Sequence, residues 1–232
     1  MKAMILAAGR GQRMRPLTDT QPKPLLQAGG KPLIQHHIER LAAAGVRELV
    51  INLAWQGAMI REAMGDGARF GVQIAYSDEG ETALETGGGI FRALPLLGAA
   101  PFLVVNGDIW TDYPFEQLLA RFHNGALGTT GRDLAHLVLV PNPPQHARGD
   151  FGLADGRTTA EQGERVTYSG IAVYAPQFFS GCEPGAFKLI TPLLAAIHDD
   201  RVGGERYDGQ WFDIGTPQRL AELDELLSHR GV

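Results

Sequence analysis

Cysteine is almost absent: Cys182 is the only one in 232 residues. That excludes an intrachain disulfide and a thiolate metal cluster, and it suits a packing residue in a reducing compartment. Long apolar runs are missing too, so no segment approaches the length of a membrane span. The apolar stretch after Lys2 is too short for a secretory leader, and the expected location is the cytoplasm. There is no excess of positive charge: 21 Lys and Arg against 26 Asp and Glu leave a net charge of −5. This argues against nucleic acid as the main partner. Repeats, low-complexity tracts and flexible linkers are also absent. What remains is an ordinary globular composition, 44% hydrophobic and 20% charged. The length predicts one α/β domain over residues 1–232.

Against this acidic background the N-terminus stands out. Met4-Ile5-Leu6-Ala7-Ala8 runs into Gly9-Arg10-Gly11-Gln12-Arg13-Met14-Arg15-Pro16, and Lys23-Pro24-Leu25 follows. The apolar run reads as a buried parallel strand. The glycines let backbone N–H groups approach a ligand, and the arginines with Lys23 add charge suited to a polyphosphate. A dinucleotide fingerprint would need glycine where Met14 stands. A P-loop would end in Gly-Lys-Ser/Thr, which is missing. The competing reading is a plain strand-to-loop turn with solvated basic residues.

Strand and helix then alternate, the pattern of a doubly wound, mostly parallel sheet with helices on both faces. Helices are expected over 36–44, up to Met64, and over 91–97, 113–123, 187–198 and 218–227. Strands are expected over 48–54, 72–77, 102–108, 135–140 and 166–174. His36 and His37 are adjacent, which is the wrong spacing for paired metal ligands on a helix, so they read as structural or surface residues. In such sheets ligands bind beyond the carboxyl ends of the strands, where three further features fall. Gly87-Gly88-Gly89 opens a helix it should weaken, so close approach by a nucleobase or ribose, or a tight helix–sheet contact, is expected there. Asp108 ends a buried strand, placed to hold a hard cation, with a turn or cap as its alternative. Asn106 offers amide hydrogen bonds to sugar or nucleotide. The glycine- and threonine-rich 125–133 carries no clear chemistry. Pro141 to Pro144 close a strand and mark a change of character.

The run AAGRGQRMRPLT…PKPLL, with WFDIGTP near the end, resembles the signatures of the sugar-1-phosphate nucleotidyltransferases. The similarity extends from Met1 to about Leu227. It implies a Rossmann-like fold whose nucleotide-binding half covers about 1–110, with a small sugar-binding subregion in about 111–232. It implies a catalytic pair, Arg13 and Lys23, and a nucleotide site of Ala8, Gly9, Gly11, Gln12, Arg13, Lys23, Glu79, Gly87, Gly88 and Asn106. It implies a sugar site of Asn106, Asp150, Gly152 and Glu164, with Glu161 a further candidate. Asp108 and Asp213 are implied as the carboxylates for Mg²⁺. The substrates implied are UTP and a sugar 1-phosphate. LETGGG, NGDIWTDY and GAFKL are most similar to the branch that uridylylates a muramate phosphate, whose lactyl carboxylate would fall to a cation such as Arg201 or Arg206. A glucose- or mannose-type sugar with UTP, dTTP or GTP is the nearest rival, and a non-catalytic nucleotide-sugar sensor a more distant one. Two departures stand out. Glu85 replaces the first glycine of the family's Gly-Thr-Ala-Gly run, and a Glu-Lys pair common in relatives is missing.

Overall fold

The computed structural model describes residues 1–80, 83–122, 127 and 131–229. Glu81, Thr82, the helix end expected at His123 and most of the 125–133 stretch lie outside the described residues.

Alternation in the first strands determines the layering. In β1 (Ala3–Leu6), Ala3 and Ile5 point to one apolar layer while Met4 and Leu6 point to the other. After a glycine loop, a short β2–β3 hairpin (Gln27–Ala28, Lys31–Pro32) leads into helix α1 (Leu33–Ala43). Strand β4 (Glu48–Leu53), helix α2 (Gly57–Met64), strand β5 (Gln73–Asp78), helix α3 (Glu85–Leu97) and strand β6 (Phe102–Asn106) repeat the unit. The expected helix at 91–97 thus starts six residues earlier and takes in all three glycines.

The second half is more strand-rich than expected. It contains β7 (Ile109–Thr111), α4 (Phe115–Phe122), β8 (Ala135–Val140), β9 (Phe151–Ala154), β10 (Arg157–Thr159) and β11 (Glu164–Tyr174). Helix α5 (Ile190–His198), β12 (Val202–Arg206), β13 (Trp211–Asp213) and α6 (Pro217–His229) complete it. Strand β12 was not expected: Val-Gly-Gly-Glu-Arg has little strand propensity, but it pairs in parallel with β8 along its whole length.

Among the described residues nine strands form one sheet in the order β5-β4-β1-β6-β11-β8-β12-β10-β9. The first four are parallel, as the βαβ alternation requires. Strand β11 enters antiparallel to β6 and β8, and β10 is antiparallel to both neighbours. A bulge at Ser169–Gly170 interrupts the β11–β8 register.

One face of the sheet is covered by α1, α2 and α4 through Ile38, Leu41, Ile60 and Leu118. The other is covered by α3 and α5 through Ile90, Ala93, Leu193 and Ile197. A third apolar cluster lies outside these layers. There Leu220, Leu223 and Leu227 of α6 meet Met14, Leu26, Trp110 and Ile214. The last helix therefore braces the N-terminal glycine loop and the β7–β13 ribbon together. Among the described residues no helix is long and apolar enough to cross a membrane.

Candidate active site

Beyond the carboxyl end of β1 the chain turns at Gly11, which has φ of 63°. A Cβ there would come within 3.1 Å of both Thr18 Cγ2 and Lys23 Cβ, so a side chain is opposed by space and backbone alike. The Thr18 hydroxyl donates to Gly11 O at 2.8 Å and closes the loop. A tight turn over Gln12–Met14 then buries Met14 beneath α6 and leaves Arg13 exposed. Gly11, Gln12 and Arg13 form one wall of a cavity of about 520 Å³.

Lys23 lies in a second short turn and is only 7% exposed. A lysine so buried needs a partner, and its Nζ meets Asp108 Oδ2 at 2.9 Å. Asp108 follows the end of β6. Backbone pairing of β7 with β13 sets Asp213 opposite Ile109, and Ile214 N–H donates to Asp108 O at 2.9 Å. Asp108 and Asp213 are therefore neighbours across the ribbon, and each already faces a cation of the chain. Arg219 Nη1 is 2.5 Å from Asp213 Oδ2.

Among the described residues no group of three or more Asp, Glu, His or Cys side chains gathers as a metal cluster. The donor set is two adjacent carboxylates beside the cavity that holds Arg13 and Lys23. That fits a hard cation such as Mg²⁺, which takes one or two protein carboxylates and draws its other ligands from phosphate and water.

A buried polar network closes the first cavity on its far side. Asn52 Oδ1 accepts the Ala7 N–H at 2.7 Å, and its Nδ2 donates to Glu79 Oε1 at 2.6 Å. Glu79 Oε2 in turn accepts the Leu84 N–H at 2.7 Å. One pair of side chains thus ties the ends of β1, β4 and β5 to the entry of α3. Asn52 is absent from the expected site residues, although one polar residue inside the apolar strand ELVINL was a signal for it.

Of the expected nucleotide-site residues, Ala8, Gly9, Gly11, Gln12, Arg13, Lys23, Glu79 and Asn106 line this cavity. Gly87 and Gly88 do not. A Cβ on Gly87 would lie 2.4 Å from the Phe187 ring, and one on Gly88 would lie 2.2 Å from Gly185 O. These glycines admit the 185–187 segment against α3, and Gly88 N–H donates to Phe187 O at 3.2 Å. Close packing accounts for them, and Ala83, Glu85 and Thr86 face the cavity in their place.

A second cavity of about 210 Å³ adjoins the first and shares Asn106 and Asp108 with it. Asp150 and Asp213 line it, with His146, Tyr168 and Trp211, none of which was expected there from the sequence. Gly152 and Glu164 line neither cavity. Gly152 is enclosed in the β9–β10 hairpin, where a Cβ would strike Gln162 O, and Glu164 pairs with Arg206 on the surface. Glu161 is exposed and lines neither cavity. Arg201 and Arg206 are outside both cavities as well: the Arg201 guanidinium donates to Arg132 O, and Arg206 is held by Glu164 and Asp208. The two cavities differ in charge. The first sets Arg13 and Lys23 among Glu79, Glu85 and Asp108, whereas the second presents Asp108, Asp150 and Asp213 with His146.

Residues 2–168 match the model of the nucleotidyl transferase family. The chain is 50% identical, over 97% of its own length and 98% of the relative's, to an N-acetylmuramate alpha-1-phosphate uridylyltransferase of Neisseria meningitidis serogroup B. It is 36% identical, over 97% and 96% of the two chains, to a protein of the same name from Caulobacter vibrioides. Its fold superposes, with a TM-score of 0.85, on a Bacillus anthracis structure described as a glucose-1-phosphate thymidylyltransferase in complex with sucrose. The two are 21% identical and the match covers 98% and 95% of the chains, a likeness of fold alone. The chain belongs to the nucleotidyl transferase family, in its sugar-1-phosphate branch.

Proposed function

We propose that this enzyme transfers a uridylyl group from UTP to N-acetylmuramate α-1-phosphate, giving UDP-N-acetylmuramate and pyrophosphate, as a cytoplasmic step of peptidoglycan recycling. One observation carries the mechanism: the cavity that holds the glycine loop, Arg13 and Lys23 meets a second, carboxylate-lined cavity at Asn106 and Asp108. This is the arrangement needed to bring a nucleoside triphosphate against a second phosphorylated substrate. The identities with the two uridylyltransferases support the choice of base and sugar.

An oxygen of the sugar phosphate attacks the α-phosphorus of UTP, a P–O bond forms, and the bond to the β-phosphate bridging oxygen breaks. Both reactants are anions, so the protein must chiefly hold them in line and offset their repulsion. Lys23 exchanges its contact with Asp108 for the α-phosphate. Arg13 and the backbone of Gly11 and Gln12 hold the β- and γ-phosphates as pyrophosphate departs. The attacking oxygen is already ionised, so no general base is required. Asp108 and Asp213 are the residues that would hold Mg²⁺, whose chemistry is to spread the developing phosphate charge. Asn52 and Glu79 keep the far wall in place, with Glu79 beside the base.

Pyrophosphate release with Mg²⁺ tests the proposal, across UTP, dTTP, GTP, CTP and ATP against a panel of sugar 1-phosphates. The expected result is turnover with UTP and N-acetylmuramate 1-phosphate well above every other pair. Preference for another pair would overturn the assigned substrates, and silence across the panel would overturn the activity.

A further inference from the structure

The second cavity is a poor host for an acidic sugar at first sight, since three aspartates line it. Among the described residues, His146 is the only one lining it that is able to carry positive charge. Most of its other side-chain donors are committed elsewhere. Thr167 Oγ1 donates to Asn142 Oδ1 at 2.8 Å, Ser169 Oγ to Val138 O at 2.6 Å, and Trp211 Nε1 to Ser169 O at 2.8 Å.

His146 is held in place. Its Nε2 meets Asp150 Oδ1 at 2.9 Å, while Asp150 Oδ2 accepts the Tyr168 N–H at 2.8 Å. The loop between them is stapled by Arg165, whose guanidinium donates to Arg148 O, Gly149 O and Asp150 O. With Nε2 engaged, Nδ1 is the ring nitrogen that has no hydrogen-bond partner among the described residues. With Nε2–H given to a carboxylate, Nδ1 is an acceptor in the neutral ring and a donor only in the imidazolium, and it is as the imidazolium that His146 would place a charge-assisted donor beside a bound carboxylate.

We propose that His146 reads the carboxylate of an acidic sugar 1-phosphate, and so sets the preference for a sugar carrying a lactyl ether over a neutral N-acetylhexosamine. Asp150 is its positioning residue. The inference rests on the uridylyl-transfer reading above. It assigns to His146 the part that the sequence suggested for Arg201 or Arg206.

The test compares kcat/KM for N-acetylmuramate 1-phosphate and N-acetylglucosamine 1-phosphate, with UTP, in the wild type, His146→Ala and His146→Lys. In His146→Ala the expected result is about a tenfold loss with the muramate phosphate, carried by KM, and a much smaller loss with the glucosamine phosphate. His146→Lys should restore most of the discrimination, since it returns a cation to the same wall. Equal losses on both sugars would assign His146 a structural role and overturn the inference, as would unchanged discrimination in an active variant. Wild-type silence toward the muramate phosphate would instead overturn the underlying substrate assignment.

Discussion

Lys23 shows how a single residue ties stability to chemistry in this site. A lysine at 7% exposure is tolerated because Asp108 lies 2.9 Å away, and Asp108 itself remains partly solvated. Removing the ammonium therefore leaves a carboxylate that water can still reach, and folding should change little. Turnover should not survive so well, since one preorganised charge contact to a reacting phosphate is worth about 3 kcal/mol, or roughly a hundredfold in rate. Lys23→Ala is expected to lower kcat by at least that factor with a melting temperature close to the wild type's. Steady-state kinetics beside a thermal melt check this, and unaltered kcat would remove Lys23 from the mechanism. The importance of Lys23 was legible because a lysine follows a glycine loop rich in arginine. Its burial and its partner were not, because Asp108 is brought to it only by the pairing of β6 with β1.

At the level of elements, the last helix is as much a part of the site as the glycine loop. Leu223 is fully buried, and its cluster includes Met14 of the loop and Trp110 and Ile214 of the ribbon that carries Asp108 and Asp213. Leu223→Ala should destabilise the protein by about 3 kcal/mol through lost burial and the cavity left behind. Because the cavity would open under the loop, KM for the nucleoside triphosphate should rise even at temperatures where the variant is folded. A thermal melt paired with nucleotide-dependent kinetics checks this, and destabilisation with unaltered KM would make α6 a passive cover. The α3 glycines teach a related lesson. Their sequence admitted either a flat ligand or a packed segment, and the 185–187 stretch that decided the matter lies nearly a hundred residues away in the chain.

For the molecule as a whole, burial of neutral histidines links stability to pH. Burial pushes His37 down to about 4, and its Nε2 has no partner among the described residues. His36 is also pushed down by burial. In the unfolded chain a histidine titrates near about 6.5, so between that value and about 4 the unfolded state binds more protons than the folded one. Stability therefore rises with pH across this window and is lost as pH falls through it, by about 3 kcal/mol for His37 in full. The melting temperature should decline from pH 6.5 toward pH 4.5, and His37→Gln should flatten part of that decline. An identical slope in the variant would show that other groups carry the acid sensitivity.

The order of strands and helices in the first half was written in the sequence. Period-two and period-three-to-four apolar patterns, with glycines and prolines as punctuation, are local signals that the chain carries residue by residue. Ala135–Val140 and the glycine loop after β1 fell where those signals placed them. The tertiary structure alone decided what depends on distant segments meeting. Pairing of β7 with β13 brings Asp213 beside Asp108, and β8 recruits Val-Gly-Gly-Glu-Arg as a strand against its own propensity. The same meeting of segments removes Gly152 and Glu164 from the second cavity and brings in His146 and Trp211. Local patterns report the geometry of one backbone segment. Which side chains share a cavity is determined by sheet order and register, which only the folded chain possesses.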